Sequence, residues 1–223
     1  KNWAIWLHEY LIDFKDQQDS LRYTLCATAP ENKDTDFTWK DFQARNNNEL
    51  VSILGNFVNR VVVLTNKYWD GIVPEKIVTN EYDDRIISSL ELFPKKIAHS
   101  IKKFRFREAL IGMMDLARLG NKYLADCEPW KIIKSDEKRA KTILNISLQI
   151  TASLSILSEP FIPFTSNKLK DILNLTNLKW DDAGKTIINS GHKINTGTHL
   201  FTKIEDDKIQ KMIDKLNTNK NEN

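Results

Sequence analysis

The sequence contains little glycine, proline and cysteine for its length, with seven, six and two residues among 223. Folds built from many short strands need frequent turns, which so few glycines do not supply. Apolar residues instead recur at spacings of three and four over long stretches, as they do in helices. We therefore predict an all-α fold: a helical bundle with N-terminal connector helices and a C-terminal arm.

The two cysteines, Cys26 and Cys127, lie far apart, and neither belongs to a CxxC pair or has histidines nearby. Zinc sites need such clustering, so we predict no metal site and expect two reduced, partly buried thiols. No unbroken apolar run approaches the about 20 residues that span a bilayer. The opening residues are also too polar for a signal peptide. We expect a cytoplasmic protein without a membrane partner.

The chain also has a small net charge and no recognisable catalytic motif. There are 33 Lys and Arg against 30 Asp and Glu, a formal net charge of +3, which does not by itself indicate a nucleic-acid partner. The four histidines are scattered, without metalloprotease spacing or a nucleophile–base pair, and no Gly-rich phosphate loop occurs. We predict no catalytic residue here. The first residue, Lys1, and the amphipathic opening suggest part of a longer protein.

A long helix is predicted to start after Thr38, where Asp41 stands at the capping-box position, and to end at Asp70-Gly71. Asn56, Arg60 and Lys67 fall on the side away from its apolar stripe. That stripe comprises Phe42, Leu50, Leu54, Phe57, Val58, Val61, Val62 and Thr65.

The remaining apolar patterns predict shorter helices and one central helix. The most apolar, over residues 138–157, is expected at the centre of the bundle. Pro94 is predicted to break the chain after a helix over residues 81–92, and Pro129 to open a short turn. The other helices are predicted over residues 2–12, 19–29, 107–125, 165–175 and 205–216.

These helices suggest three units along the chain. Residues 1–36 are predicted to form a connector and residues 37–178 the helical bundle. Residues 179–223 would form the C-terminal arm, with a final amphipathic helix and a polar, disordered tail from residue 217.

Two separated pairs of residues could recognise unpaired bases. Asn56 and Arg60 are four residues apart, so on a helix both side chains project from one face. Asn and Arg can hydrogen-bond base edges, and Trp130, directly after Pro129, offers a ring for stacking. Polar residues are also expected on any amphipathic helix, and a lone Trp is commonly a core residue. The spacing alone leaves both interpretations open.

Residues 95–107 contain six Lys or Arg and no acid. Lys102, Lys103 and Arg105 could contact RNA phosphates, as could Lys67 on the long helix. A solvated helix face is the alternative explanation. Phe104 and Phe106, which alternate with these cations, are predicted to be core residues rather than stacking surfaces.

Several segments that follow one another in order resemble the C-terminal half of methionyl-tRNA synthetases. The resemblance extends from Asn2-Trp3-Ala4 to Leu200-Phe-Thr-Lys-Ile-Glu-Asp206. Between them lie Asp36-Phe-Thr-Trp-Lys-Asp-Phe-Gln-Ala-Arg-Asn-Asn-Asn-Glu-Leu50, Gly55-Asn-Phe-Val-Asn-Arg60, Phe104-Arg-Phe-Arg-Glu-Ala-Leu110, Asn121-Lys-Tyr-Leu-Ala-Asp126 and Glu128-Pro-Trp-Lys131.

The resemblance implies a class I synthetase whose helical bundle binds the CAU anticodon of tRNA(Met). The family's anticodon-contacting Asn and Arg fall on Asn56 and Arg60, and its Pro-Trp, whose indole stacks on an anticodon base, falls on Pro129 and Trp130. The N-terminal segment would follow the lysine-serine loop, and the C-terminal arm would fold back toward the catalytic domain.

The resemblance also implies which parts are missing. The family's ATP-binding motif, lysine-serine loop and zinc-bearing insertion belong upstream of Lys1. We therefore expect a segment that binds the tRNA(Met) anticodon stem-loop without activating methionine and without a cofactor of its own. The alternatives are the bundle of a class I synthetase for another hydrophobic amino acid, and a helical protein-interaction module without RNA binding.

Overall fold

The computed structural model describes residues 5–31, 34–197 and 199–221, with side chains up to residue 215. Over these residues the chain is helical, and extended backbone pairs once, in an antiparallel bridge between Ile72 and Lys193. The all-α prediction is confirmed. Asn2-Trp3-Ala4, where the resemblance begins, lies outside the described residues.

The helices follow one another with short connections. The N-terminal ones are α1 (Leu7–Asp13), α2 (Gln18–Ala27) and α3 (Trp39–Arg45), followed by a π-helical segment (Asn46–Gly55) that continues into α4 (Asn56–Trp69). The bundle is completed by α5 (Glu81–Lys102), α6 (Phe106–Cys127), α7 (Pro129–Ile132), α8 (Glu137–Leu157) and α9 (Pro163–Leu173). A 3-10 turn (Trp180–Asp182) and α10 (Asp206–Asn221) belong to the C-terminal part.

The predicted long helix is present as α3, the π-helical segment and α4 without interruption. Its start is capped as predicted, because the Thr38 hydroxyl accepts a hydrogen bond of 3.1 Å from the Asp41 backbone N–H. It ends at Asp70 and Gly71, both in the left-handed region with φ of 48° and 76°. The whole predicted apolar stripe is buried. Both ends and the buried face are therefore confirmed.

Helix α8 forms the centre of the bundle, with α4, α5, α6, α7 and α9 packed around it. By length and hydropathy it is the one described helix that could cross a membrane, but 94% of its apolar window is buried inside the protein. Burial by the surrounding helices explains its composition, which matches the predicted central position.

The predicted break at Pro94 is wrong, because α5 continues through this residue to Lys102. Proline removes the N–H that would bond to the carbonyl of Leu90, which has a local cost. Leu90, Pro94 and Ile97 are nevertheless all buried in the bundle. Tertiary packing on both sides of the proline therefore outweighs the missing hydrogen bond.

Two further expectations are wrong. Phe104 and Phe106 are 77% and 39% exposed and so are not core residues. Phe104 has a φ of 57° in the turn between α5 and α6, where a left-handed backbone leaves the helical spacing that the prediction assumed. The polar tail predicted to start at residue 217 is helical up to Asn221 as part of α10, and residues 222–223 lie outside the described residues.

A second, smaller core joins the N-terminal helices to the C-terminal arm. It brings together α1, α3 and α10 and consists of Tyr10, Phe14, Trp39, Phe42, Ile204 and Ile209. Lys215 of α10 reinforces this contact through ion pairs of 2.8 Å with Glu9 and 3.4 Å with Asp13. The arm therefore packs back onto the connector helices.

Helices α4 and α6 approach each other closely at Gly120. A Cβ atom at this position would lie 2.4 Å from the Cζ atom of Phe57, far inside van der Waals contact. Phe57 is fully buried and cannot move away easily. A glycine at this point of α6 thus sets the distance between the two helices.

We expect Gly120→Ala to lower the free energy of unfolding by about 1–3 kcal/mol, because overpacking outweighs the better helix propensity of alanine. Urea denaturation followed by circular dichroism measures the change. Gly120→Ala combined with Phe57→Leu should recover part of the loss, relative to Phe57→Leu alone. If the alanine costs as much in the Phe57→Leu background as in the wild type, the contact does not set the helix spacing.

Candidate anticodon-binding site

Arg60 and Trp130 meet on the surface of the bundle, although 70 positions separate them in the chain. The guanidinium carbon of Arg60, on α4, lies 4.6 Å from the centroid of the Trp130 ring, on α7. Both side chains are only partly buried. The indole is therefore not sealed in the core, and a cation covers part of its ring.

The corner between α6 and α7 holds Trp130 in this position. Glu128, with a φ of 42°, ends α6 in the left-handed conformation, and Pro129 then takes the first position of α7. Pro129 is buried, while the indole of Trp130 packs against the main core by one part of its surface. The predicted helix start at Pro129 is confirmed.

Asn56 lies one helical turn before Arg60 on the same face of α4, and its side chain is exposed. Its amide nitrogen is 3.4 Å from the side-chain oxygen of Asn121 on α6. Asn121 is held in turn by donating a hydrogen bond of 2.8 Å to the carbonyl of Ile53. Asn121 therefore orients the Asn56 amide at the surface.

A shallow depression of about 400 Å³ lies between α4 and α6 beside these residues. Trp130 does not line it but adjoins it through Arg60. The depression is lined by Ser52, Ile53, Asn56, Arg60, Arg118, Asn121, Lys122 and Ala125.

Sequence reasoning did not single out Arg118 and Lys122, which add two cations to this depression. Each has an acidic neighbour on α6, at 2.9 Å for Arg118–Asp115 and 2.8 Å for Lys122–Asp126. Arg118, Asn121, Lys122 and Ala125 are spaced by three and four residues along α6, so all four lie on one face of the helix. This spacing is the sequence signal that could have identified Arg118 and Lys122.

The four cations proposed to contact the RNA backbone fall into two places. Lys67 is exposed on the face of α4 that carries Arg60, about 10 Å further along the axis. Lys102 is exposed at the end of α5, and Lys103 and Arg105 are exposed in the turn between α5 and α6. This turn precedes Asn121 by most of the length of α6, roughly 24 Å at 1.5 Å per residue. The structure therefore separates these three from the Trp130 region.

A buried ion pair supports the corner that carries Trp130. The Asp83 carboxylate on α5 is fully buried and accepts hydrogen bonds from both terminal nitrogens of Arg139 on α8, one at 2.9 Å. It also accepts a bond of 2.6 Å from the Tyr123 hydroxyl on α6, and Arg139 lies 3.8 Å from the Cys127 sulfur. Three helices are thus joined beside the last turn of α6.

The protonation states of these groups follow from their surroundings. Burial alone would raise the pKa of Asp83, but the hydrogen bonds from Arg139 and Tyr123 outweigh this and hold the pKa below its usual value. Burial raises the pKa of Cys127, and raises that of Cys26 to about 11. Both cysteines are free and partly buried, as expected, and both are protonated thiols at neutral pH.

We expect Arg139→Met to lower the free energy of unfolding by about 3–5 kcal/mol, because it leaves the Asp83 carboxylate buried without its partner. Because the pKa of Asp83 is depressed in the folded protein, the wild-type interaction should be fully present above about pH 4 and disappear as pH falls through the folded pKa. Urea denaturation at pH 7 and at pH 3 measures both effects.

Lys141→Met is the matched control, since it removes a cation from α8 that pairs with Glu137 at the surface. We expect it to cost no more than about 0.5 kcal/mol. Equal costs for the two methionine variants would mean that the buried pair adds nothing beyond a surface pair.

Comparison with known proteins identifies the family. The family model described as "Anticodon binding domain of methionyl tRNA ligase" matches residues 73–221, more than half of the chain. A second model, described as "tRNA synthetases class I (M)", matches residues 1–62. The chain belongs to the methionyl-tRNA synthetase family.

Curated relatives support this assignment over the whole chain. A methionine–tRNA ligase of Christiangramia forsetii is 58% identical over 231 residues, covering 100% of this chain and 33% of the relative. Another from Flavobacterium psychrophilum is 56% identical over 226 residues, again covering 100% of this chain and 33% of the relative. The chain spans about a third of the length of the curated relatives that it matches.

Solved structures share the fold. The apo form of Mycobacterium tuberculosis methionyl-tRNA synthetase superposes with a TM-score of 0.78 over 84% of this chain and 39% of that protein, at 22% identity. The complex of the same synthetase with methionyl-adenylate gives 0.75 over 82% of this chain and 37% of that protein, at 21% identity. The helical architecture is therefore that of a methionyl-tRNA synthetase.

Proposed function

We propose that this segment recognises the CAU anticodon loop of tRNA(Met) within a methionine–tRNA ligase. The single observation that carries the proposal is the contact between Arg60 and the partly exposed indole of Trp130, with Asn56 one turn away. Planar stacking and directional hydrogen bonding are the two means by which proteins select unpaired bases. Here both are available at one surface site.

Trp130 would provide the stacking surface for one anticodon base. In the structure the Arg60 guanidinium lies over this ring at 4.6 Å. A cation–π contact at an exposed site contributes about 0.5–1 kcal/mol, whereas base–aromatic stacking contributes about 1–3 kcal/mol. A base can therefore displace the guanidinium from the ring, and the Arg60 donors then become available to a base edge.

Asn56 and Arg60 would select the base by hydrogen bonds. Asn121 already orients the Asn56 amide, so little conformational freedom is lost when a base binds. Good contacts of this kind contribute about 1–3 kcal/mol of discrimination each. A wrong base would forfeit these contacts while the loop still bears the cost of unstacking.

The cations outside the depression would contact the RNA backbone. Lys67 extends the Asn56–Arg60 face of α4, and Lys102, Lys103 and Arg105 lie at the far end of α6. These three residues are roughly 24 Å from Asn121 along α6, so they would contact phosphates of the anticodon stem rather than of the loop. Such contacts position the RNA without reading its sequence.

We further propose the activity of the whole protein from its relatives, which are about three times as long and are named methionine–tRNA ligases. The reaction would be ATP-dependent aminoacylation in the cytoplasm. ATP and zinc would bind to the catalytic domain of the same polypeptide, beyond the segment described here. The segment alone is expected to bind tRNA(Met) and to be catalytically inactive.

Trp130→Ala and Arg60→Ala should each abolish the preference for CAU over other anticodons, since the first removes stacking and the second removes base hydrogen bonds. Arg60→Lys keeps the charge but loses the planar donors, so it should also lose the preference. Titration of the full chain with labelled anticodon stem-loops, CAU and single-base variants, measures the ratio of the Kd values.

The aromatic control is Trp6→Ala, which removes an exposed indole next to α1, far from the site in sequence. It should leave the CAU preference unchanged. An unchanged preference in both Trp130→Ala and Arg60→Ala, with the helical fold intact, would refute the anticodon-site assignment. Absence of any salt-dependent tRNA binding by the full chain would favour a protein-interaction module instead.

Lys103→Ala and Arg105→Ala should weaken tRNA(Met) binding evenly for all anticodons and reduce the salt dependence of log K by roughly 0.7–0.9 per phosphate contact removed. Titrations of whole tRNA(Met) at several salt concentrations measure this slope. Lys168→Ala, an exposed lysine on α9, should leave the slope unchanged. A loss confined to one anticodon sequence would contradict a backbone role.

A further inference from the structure

A second surface groove lies between α5 and the 3-10 turn. It has a volume of about 790 Å³ and is open to solvent. Five of its lining residues could contact a nucleotide by charge, hydrogen bonding or stacking: Lys95, His99, Lys102, Trp180 and Lys185. Two acidic residues, Glu91 and Asp181, also line it.

The groove is a fixed feature of the fold. Gly184 follows the 3-10 turn with a φ of 83°, and a Cβ there would lie 3.1 Å from both the Cα of Glu91 and the carbonyl of Leu90. The Gly184 N–H also donates a hydrogen bond of 3.1 Å to the Ser153 hydroxyl on α8. The turn that carries Trp180 is thereby held against α5 and α8. The indole packs partly on the main core and remains partly exposed.

Three of the basic residues of the groove lie on one face of α5. Lys95, His99 and Lys102 stand at positions i, i+4 and i+7, so their side chains project in the same direction. All three are exposed, and neither lysine forms an ion pair with any residue that the structure describes. Basic side chains beside a partly exposed indole are a combination by which proteins bind single-stranded nucleic acids.

The groove and the depression beside Arg60 are separate sites. Gly112 of α6 faces Ile97 of α5, with 3.1 Å between an added Cβ and the Ile97 side chain. Asn121, which lines the depression, lies nine residues further along α6, about 14 Å along its axis. The groove is lined by residues of α5 and of the segment 180–185, whereas the depression is lined by residues of the π-helical segment, α4 and α6. A base bound in one does not occupy the other, although Lys102 belongs both to the groove and to the proposed contacts with the tRNA backbone.

We propose that this groove binds a single-stranded RNA segment, with one base stacked on Trp180 and its phosphates against Lys95, His99 and Lys102. Glu91 and Asp181 repel phosphates but accept hydrogen bonds from the exocyclic amino groups of adenine and cytosine. Uracil has no such group. The groove therefore favours unpaired adenine or cytosine over uracil.

The test is a titration of the full chain with fluorescein-labelled RNA hexamers, oligoadenylate and oligouridylate, at low salt. The wild-type chain should bind oligoadenylate more tightly than oligouridylate. Trp180→Ala and the double variant Lys95→Ala/His99→Ala should each weaken oligoadenylate binding by about fivefold or more. Asp181→Ala should strengthen oligouridylate binding and so reduce the difference between the two hexamers.

Matched controls distinguish RNA binding in this groove from anticodon binding beside Arg60. Trp130→Ala should leave oligoadenylate binding unchanged, and Trp180→Ala should leave the preference for a CAU stem-loop unchanged. Trp6→Ala and Lys168→Ala serve as exposed aromatic and cationic controls. Circular dichroism checks that each variant is folded.

The proposal is overturned if the hexamers do not bind, or if folded Trp180→Ala and Lys95→Ala/His99→Ala bind oligoadenylate as the wild type does. A loss of hexamer binding in Trp130→Ala instead would assign the hexamers to the depression beside Arg60. Adenosine monophosphate that binds as tightly as the hexamer would assign the groove to a mononucleotide rather than to a strand.

Discussion

The close approach of α4 and α6 is the constraint on which the candidate anticodon site depends. Gly120 leaves room for the Phe57 ring where any larger residue would collide with it. Asn56 and Arg60 belong to α4, whereas Asn121 and the corner before Trp130 belong to α6. If the two helices lay one methyl group further apart, the Asn56–Asn121 hydrogen bond, already 3.4 Å long, would be the first interaction to break.

The buried ion pair between Asp83 and Arg139 also helps to hold α6 in place at the candidate anticodon site. Asp83 joins α5 to Arg139 of α8 and to Tyr123 of α6, within the stretch of α6 whose other face lines the depression. Close packing sets how near α6 lies to α4, and the ion pair resists rotation of its last turn. Because a buried carboxylate is costly without its partners, the three helices are held in one arrangement.

Much of the fold was predictable because it follows from local patterns. The long helix could be read from the Thr38 cap, the apolar stripe and the Asp70-Gly71 end, each of which depends on residues near in sequence. The break at Pro94 was wrong because its outcome depends on burial by distant residues. Phe104 and Phe106 were misplaced because a left-handed turn interrupts the helical spacing.

The site was predictable only in part. Spacing alone placed Asn56 and Arg60 on one helix face, but nothing local indicates that Trp130 lies against Arg60. That expectation came from the resemblance to the synthetase family. Asn121, Arg118 and Lys122 required knowledge of which face of α6 meets α4, and the groove beside Trp180 required the position of an irregular loop. Long-range packing of this kind is not encoded in any single window of the sequence.

The π-helical segment Asn46–Gly55 ends at the residue before Asn56. Each residue of an α-helix turns the chain by about 100°, so one residue inserted into or deleted from this segment would swing Asn56 and Arg60 away from the indole. The wider turn of a π-helix absorbs a length difference without breaking the helix. The rotational phase between α3 and the face of α4 that carries Asn56 and Arg60 is thus set in these ten residues, of which Asn46, Leu50 and Leu54 are buried.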